Sequence, residues 1–141
     1  MADYSVTAAS VVPSAGGTIN YGTAGEAITA GQAVYRDTAD SNKIKVADCT
    51  DADKINVAGI AVCDVATGQK VAYDVSDTEL EIGATVAVGD VIVLSESGGL
   101  APVADLTTDD YAVVLGVAVS TSAMTCHFVD PAPLSSGAVI A

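Results

Sequence analysis

Aromatic side chains are scarce in this 141-residue chain: there is no tryptophan, Phe128 is the single phenylalanine, and five tyrosines complete the set. A core built without them must rely on Val, Ile, Leu and Ala, which bury less area each. Basic residues are scarce too. Arg36, Lys43, Lys45, Lys54 and Lys70 stand against 18 acidic residues, for a net charge of −13. That balance excludes a protein that tracks nucleic-acid phosphates and one that docks on an anionic membrane surface. The longest apolar run, Tyr111 to Val119, is far short of the roughly 20 residues that span a bilayer. No charged segment followed by an apolar one opens the sequence, so no secretion signal is expected. Cys49, Cys63 and Cys126 are widely spaced and form no Cys-x-x-Cys pair, which points to a reducing compartment. Cys63 and Cys126 fall in apolar patterns and read as small buried thiols. Their spacing with the lone His127 does not suit zinc, and no metal or cofactor is expected.

What is abundant is repetition. "VADCTDADKINVAGIAV", Val46 to Val62, aligns with "VADLTTDDYAVVLGVAV", Val103 to Val119, at an offset of 57, with nine of 17 positions identical. Upstream, "GEAITAGQAVY" (Gly25 to Tyr35) aligns with "GATVAVGDVIV" (Gly83 to Val93) at an offset of 58. The intervening turns, "DTADSNK" and "SESGG", absorb the difference, as hairpin tips do. Downstream, "GIAVCDVATGQKVAY" aligns without a gap with "GVAVSTSAMTCHFVD", which puts Lys70 opposite His127.

The segments "QAVYR", "KIKVA", "NVAGIAV", "QKVAYDV", "DVIVL", "AVVLGVAV" and "CHFVD" are short, rich in Val and Ile, and bounded by turn residues. Turn signals roughly 8–12 residues apart mark an all-β protein. The expected fold is therefore all-β: duplicated small β-barrel or β-sandwich units of about 50 residues, with extended N- and C-terminal arms. The arms are residues 1–24 and 131–141, and the repeats are residues 25–75 and 83–130. "TDADK" and "TTDDY" are expected to form one helical turn each, capped by Thr50 and Thr107. Gly31 and Gly89 stand where a chain with positive φ leads into a strand. Gly59 and Gly116 interrupt strands, as at a bulge or a close backbone approach. The apolar arms, "VTAASVV" and "GAVIA", are suited to adding a strand to a neighbouring subunit. Ser5, Val6, Thr7, Val11 and Val12 are the candidate contact residues for a neighbour or partner.

Catalysis finds little support. Asp48, Asp51 and Asp53 recur as Asp105, Asp109 and Asp110, but neither cluster has the glycine and closing glutamate of a calcium loop. No Gly-x-Ser-x-Gly or Cys–His signature accompanies His127, and "TAGEAITAGQA" lacks the Gly-Lys-Ser/Thr of a phosphate loop. No enzyme is expected. The "VAVGDVIVL" run resembles a biotinyl or lipoyl carrier strand, yet the hairpin tip carries no attachment lysine.

The units "GEAITAGQAVYRDTADSNKIKVA…VAGIAV" and "VAVGDVIVLSESGGLAPV…VLGVAV" resemble those of the capsid decoration, or cement, proteins of tailed bacteriophages. The shared pattern is Gly-x-x-Ile, a Gly-[Asp/Gln] lead into a strand, a polar hairpin and then "[VL]xGxAV", over roughly Gly25 to Val129. The resemblance implies a non-enzymatic structural protein on the outer capsid surface, made in the bacterial host cytoplasm. Its partners would be the major capsid protein and, in a homotrimer, itself. A β-clip carbohydrate- or peptide-binding module is the alternative.

Overall fold

The structure, a computed structural model, describes residues 3–107, 110–126 and 128. Ten strands follow one another among the described residues: β1 (Val11–Val12), β2 (Thr18–Thr23), β3 (Ala33–Asp37), β4 (Lys43–Val46), β5 (Val57–Ala61), β6 (Lys70–Ile82), β7 (Val91–Leu94), β8 (Leu100–Pro102), β9 (Val114–Ala118) and β10 (Ala123–Cys126). Short 3-10 turns at Ala8–Ser10, Ala52–Lys54, Glu96–Gly98 and Val103–Asp105 punctuate them, and no α-helix occurs among the described residues. The all-β expectation holds. The strands form one curled antiparallel sheet, a half-barrel, in the order β4-β3-β5-β6-β10-β9-β7-β8, with β1 and β2 pairing to β6 off that path.

Strand β6 makes the sheet continuous. Its first half pairs with β2 and β5, and its second half pairs with β10 and β1. The repeats therefore do not close into two separate units, because one 13-residue strand serves both. Residues 11–12 and 18–23 are likewise strands of this sheet rather than an arm that reaches away from it. A lone strand presents unpaired N–H and C=O groups, and here β6 of the same chain satisfies them.

The two ladders that carry the repeated segments share one register. Ala33, Val34 and Tyr35 pair with Ile60, Gly59 and Val57, with a bulge between Val34 and Tyr35. Val91, Ile92 and Val93 pair with Val117, Gly116 and Val114, with the bulge between Ile92 and Val93. The turns that lead into β3 and β7 also agree. Gln32 N–H donates to the Thr29 carbonyl at 3.1 Å while its side-chain oxygen accepts from Thr29 N–H at 2.8 Å. Asp90 does the same with Ala87, at 2.9 and 3.1 Å. The glycine before each, Gly31 at φ +94° and Gly89 at φ +91°, holds the left-handed conformation that such a turn needs.

The ungapped alignment fails at both ends of this match. Val46 pairs with Val34 in β4, whereas Pro102, not Val103, pairs with Ile92, and Val103 opens a 3-10 turn. The second hairpin is thus two residues shorter between these pairs, and one residue is recovered before β9. Beyond β5 the offset changes again. Tyr73 pairs with Ala61, and Met124 with Ala118, an offset of 51 rather than 57. At that offset Lys70 matches Thr121, and of "CHFVD" Cys126 closes the last described strand while His127, Val129 and Asp130 lie outside the described residues. His127 and residues 129–141 lie outside the described residues, so the C-terminal arm does too.

Two apolar clusters form the core. The smaller one, inside the curl of β2–β6, holds Ala24, Ile28, Val34, Ile44, Ala61, Val71 and Tyr73. The larger one joins Leu80, Ile82, Ile92, Leu94, Leu100, Leu115 and Met124 to the opposite face of β3 and β5, through Ala33, Tyr35 and Ile60. Successive strand residues point to opposite faces, so β3 and β5 serve both clusters.

Candidate functional site

The N-terminal segment is docked along the chain's own surface. Tyr4 N–H donates to the Leu100 carbonyl and Thr7 N–H to the Gly83 carbonyl, both at 2.8 Å. The Tyr4 hydroxyl donates to Asp90 at 3.0 Å. Burial and the Asp90 carboxylate, with Asp105 beyond, push this phenol up to about 12, so it stays a donor at any physiological pH. Of the candidate contact residues, Val11 is buried opposite Ile82 and Val6 packs against the larger core. Ser5, Thr7 and Val12 face solvent. Alternation along the segment divides the five between the chain's own core and its surface.

The acidic clusters bond within their own turns, and Asp48 also accepts from Ser97 N–H at 3.3 Å. Asp48 accepts from Thr50 N–H at 2.9 Å and from its hydroxyl at 2.7 Å. Asp51, not Thr50, caps the Ala52–Lys54 turn by accepting from Asp53 N–H at 2.9 Å. Asp110 accepts from Thr107 N–H at 2.9 Å and from its hydroxyl at 3.1 Å. The Thr107 carbonyl in turn accepts from Asp110 N–H at 3.1 Å, and residues 108 and 109, over which the expected helical turn would run, lie outside the described residues. Gly59 and Gly116 mark close approaches. A Cβ on Gly59 would stand 2.5 Å from the Asp74 carbonyl oxygen, and one on Gly116 would collide with the Thr125 carbonyl.

A buried carboxyl pair was not legible in the sequence. Asp74 and Asp77 lie in β6 under the turn at Ser14–Gly17, both shielded from solvent. In a regular strand, residues three apart point to opposite faces. The shifted registers of β6 against β2 and β10 bring these two to one side. Asp77 accepts from Ser14 N–H at 2.9 Å, from the Ser14 hydroxyl, and from Glu79 N–H at 2.9 Å. Burial pushes Asp74 up to about 7, helped by its hydrogen bond to Asp77 and the charge there. Burial also acts to raise Asp77, but the bonds from Asp74, Ser14 and Glu79 outweigh it and hold Asp77 at about 2. Of the two, Asp74 is the one that holds a proton below about pH 7, and Asp77 the one that stays charged. The pair ties the turn after β1 to the centre of β6, and its carboxyls face protein on every side.

A concave surface lies around Arg36, the sole arginine. A trough of about 550 Å³ is lined by Tyr35, Arg36, Thr38, Asp51, Lys54 and Asn56. A second of about 460 Å³ shares Arg36, Thr38 and Asn56 and continues to Asn20, Tyr73 and Val75. The Arg36 guanidinium donates to the Tyr73 hydroxyl at 3.2 Å. Hydroxyls, the amides of Asn20 and Asn56, the cations Arg36 and Lys54 and the carboxylates Asp37, Asp51 and Asp53 line these troughs, a set that hydrogen-bonds a polar partner.

The fold has a counterpart among solved structures. The chain is similar to the head fiber gp8.5 N base of bacteriophage phi29, with a TM-score of 0.51 and 20 % identity, over 80 % of this chain and 94 % of that one. At that identity the likeness is one of fold. No family model and no curated protein matches the chain.

Proposed function

We propose that this chain is a non-enzymatic structural protein of a tailed-phage head. It binds the outer capsid surface and stabilises the shell by bridging subunits of the major capsid protein. The observation that carries the reading is the shared fold with a phage head fiber base over 80 % of the chain. The repeat pattern and the acidic, aromatic-poor composition point the same way. A shell gains from a clamp through contact area repeated over many sites, which needs a shaped surface and no reacting group. In this role the protein self-associates, as a homotrimer, after synthesis in the host cytoplasm. Of the candidates Ser5, Val6, Thr7, Val11 and Val12, we assign contact with the capsid or a neighbouring subunit to Ser5, Thr7 and Val12, and their exposure supports this.

The repeats are two copies of one unit. The matching registers and lead-in turns of β3–β5 and β7–β9 support this. On this reading β2 opens the first copy as the second half of β6 opens the second, so each unit begins a strand earlier than the sequence pattern does.

Co-sedimentation with capsids of the cognate major capsid protein tests the function. Saturable binding to expanded heads, with little to unexpanded ones, is expected. A protein that stays in the supernatant with expanded heads would sink the proposal. The trough at Arg36 favours a second reading, a carbohydrate- or peptide-binding module. Glycan-array binding abolished by Arg36→Ala would support that module instead.

A further inference from the structure

Four of the six large apolar side chains that the described residues expose lie together: Val88 at 67 %, Val114 at 41 %, Val117 at 36 % and Val119 at 42 %. Val117 stands directly across from the half-buried Val91, and Val114 from the fully buried Val93, so the exposed valines share one face of the β7–β9 ladder around a covered position. Val119 continues that face two residues beyond Val117. Val88 joins it through the turn whose Gly89 N–H donates to the Ala118 carbonyl at 2.9 Å. Thr125, across from Val117 in β10, adds a hydroxyl and no charge.

The first ladder shows what such a face is for. At the offsets that the shared register sets, Val88, Val91, Val114, Val117 and Val119 correspond to Ala30, Ala33, Val57, Ile60 and Val62. Ala30, Ala33 and Ile60 are members of the larger core, at 6 %, 0 % and 0 % exposure, and Val57 and Val62 pack against it. The cover is this chain's own second half, with Leu80, Ile82, Ile92, Leu94 and Leu115. The glycines repeat the contrast. A Cβ on Gly31 would stand 2.5 Å from Val6 and 3.2 Å from Val11, whereas nothing lies within 4 Å of the equivalent position at Gly89. The surface covered in one half of the molecule is exposed at Val88, Val114, Val117 and Val119 in the other.

We infer that the valine face of β7–β9 is a self-association surface, and that its occupant is the same face of a second copy of this chain, related by a rotation axis. Two observations select a second copy. The equivalent face is already matched to apolar strands of this same sequence. In addition, all five basic residues precede residue 71 while ten of the 18 acidic ones follow it. Two such acidic halves approach each other only where charge is missing, and this face presents valines. The inference rests on the self-association and two-copy parts of the reading above and not on capsid binding.

Cysteine cross-linking of the intact chain tests it. Val117→Cys is expected to give disulfide-linked pairs under mild oxidation. The wild type gives none, since Cys49 and Cys126 are buried and Cys63 is half-buried, and Tyr21→Cys, exposed on β2, gives none either. In sedimentation equilibrium the wild type is an oligomer, and Val117→Asp weakens association by at least about 100-fold, with Val114→Asp as the second variant should the first not fold. A wild type that is monomeric at tens of micromolar overturns the inference. An oligomer that Val117→Cys leaves unlinked and Val117→Asp leaves intact overturns it too. So does a monomeric Val117→Cys variant whose introduced thiol resists maleimide, because the chain's own residues 129–141 would then be the cover. Each outcome is read without capsids, so failure here leaves the head-binding test standing.

Discussion

Asp74 and Asp77 lie buried together beneath the Ser14–Gly17 turn, three residues apart on a single strand. The arrangement makes stability depend on pH in a defined direction. Asp74, raised to about 7, holds its proton in the folded state through a range where the unfolded chain has lost it. Its contribution is complete below the ordinary carboxylate range and is lost as pH rises through about 7. Asp77, lowered to about 2, acts oppositely, and its contribution is lost as pH falls through about 2.

Thermal unfolding followed from pH 4 to pH 8.5 is therefore expected to show a falling midpoint. The limiting slope is about 1.4 kcal/mol per pH unit for one proton. Asp74→Asn keeps a donor toward Asp77 and removes the charge, so it is expected to flatten that slope and to be the more stable protein at pH 8. A slope unchanged in the variant would show that the pair does not carry it.

Gly116 and Gly68 provide a steric comparison. Gly116→Ala drives a methyl group into the Thr125 carbonyl between β9 and β10, where the backbone has nowhere to move. A loss of more than about 2 kcal/mol in chemical denaturation is expected. Gly68→Ala meets nothing within 4 Å and strains only φ, at +87°, for roughly 1 kcal/mol. Equal losses would mean that the close approach is not what Gly116 provides.

The N-terminal segment depends on Tyr4. Tyr4→Phe removes the bond to Asp90 and leaves the ring, for a loss of about 1 kcal/mol. Amide exchange of Tyr4 and Thr7, whose N–H groups bond to Leu100 and Gly83, is expected to speed up while that of β3 and β5 does not change. Faster exchange throughout would show that the segment is integral to the whole fold rather than docked on it.

The strand segments were legible because Val/Ile runs between turn residues have few other solutions. "QAVYR", "KIKVA", "NVAGIAV" and "DVIVL" each correspond to a strand within a residue or two. β2 was missed because "TINYGT" has no buried side chain and only Ile19 and Tyr21 to mark an apolar face, and Tyr21 is exposed with Lys70 Nζ 4.5 Å above its ring. The second half of β6, "SDTELEI", was missed because its acids masked an alternation that buries Leu80 and Ile82.

The amino-acid sequence by itself determined the class of fold, the paired segments and the turn chemistry that leads into β3 and β7. Each of these depends on neighbours within a few positions, where period and side-chain chemistry are decisive. Tertiary structure alone decided that one strand joins both halves and that Asp74 meets Asp77. It also decided that the β3–β5 face is buried while the matching face of β7–β9 is bare. Those outcomes depend on register shifts and on which surface closes over which, and a bulge of one residue changes every contact beyond it.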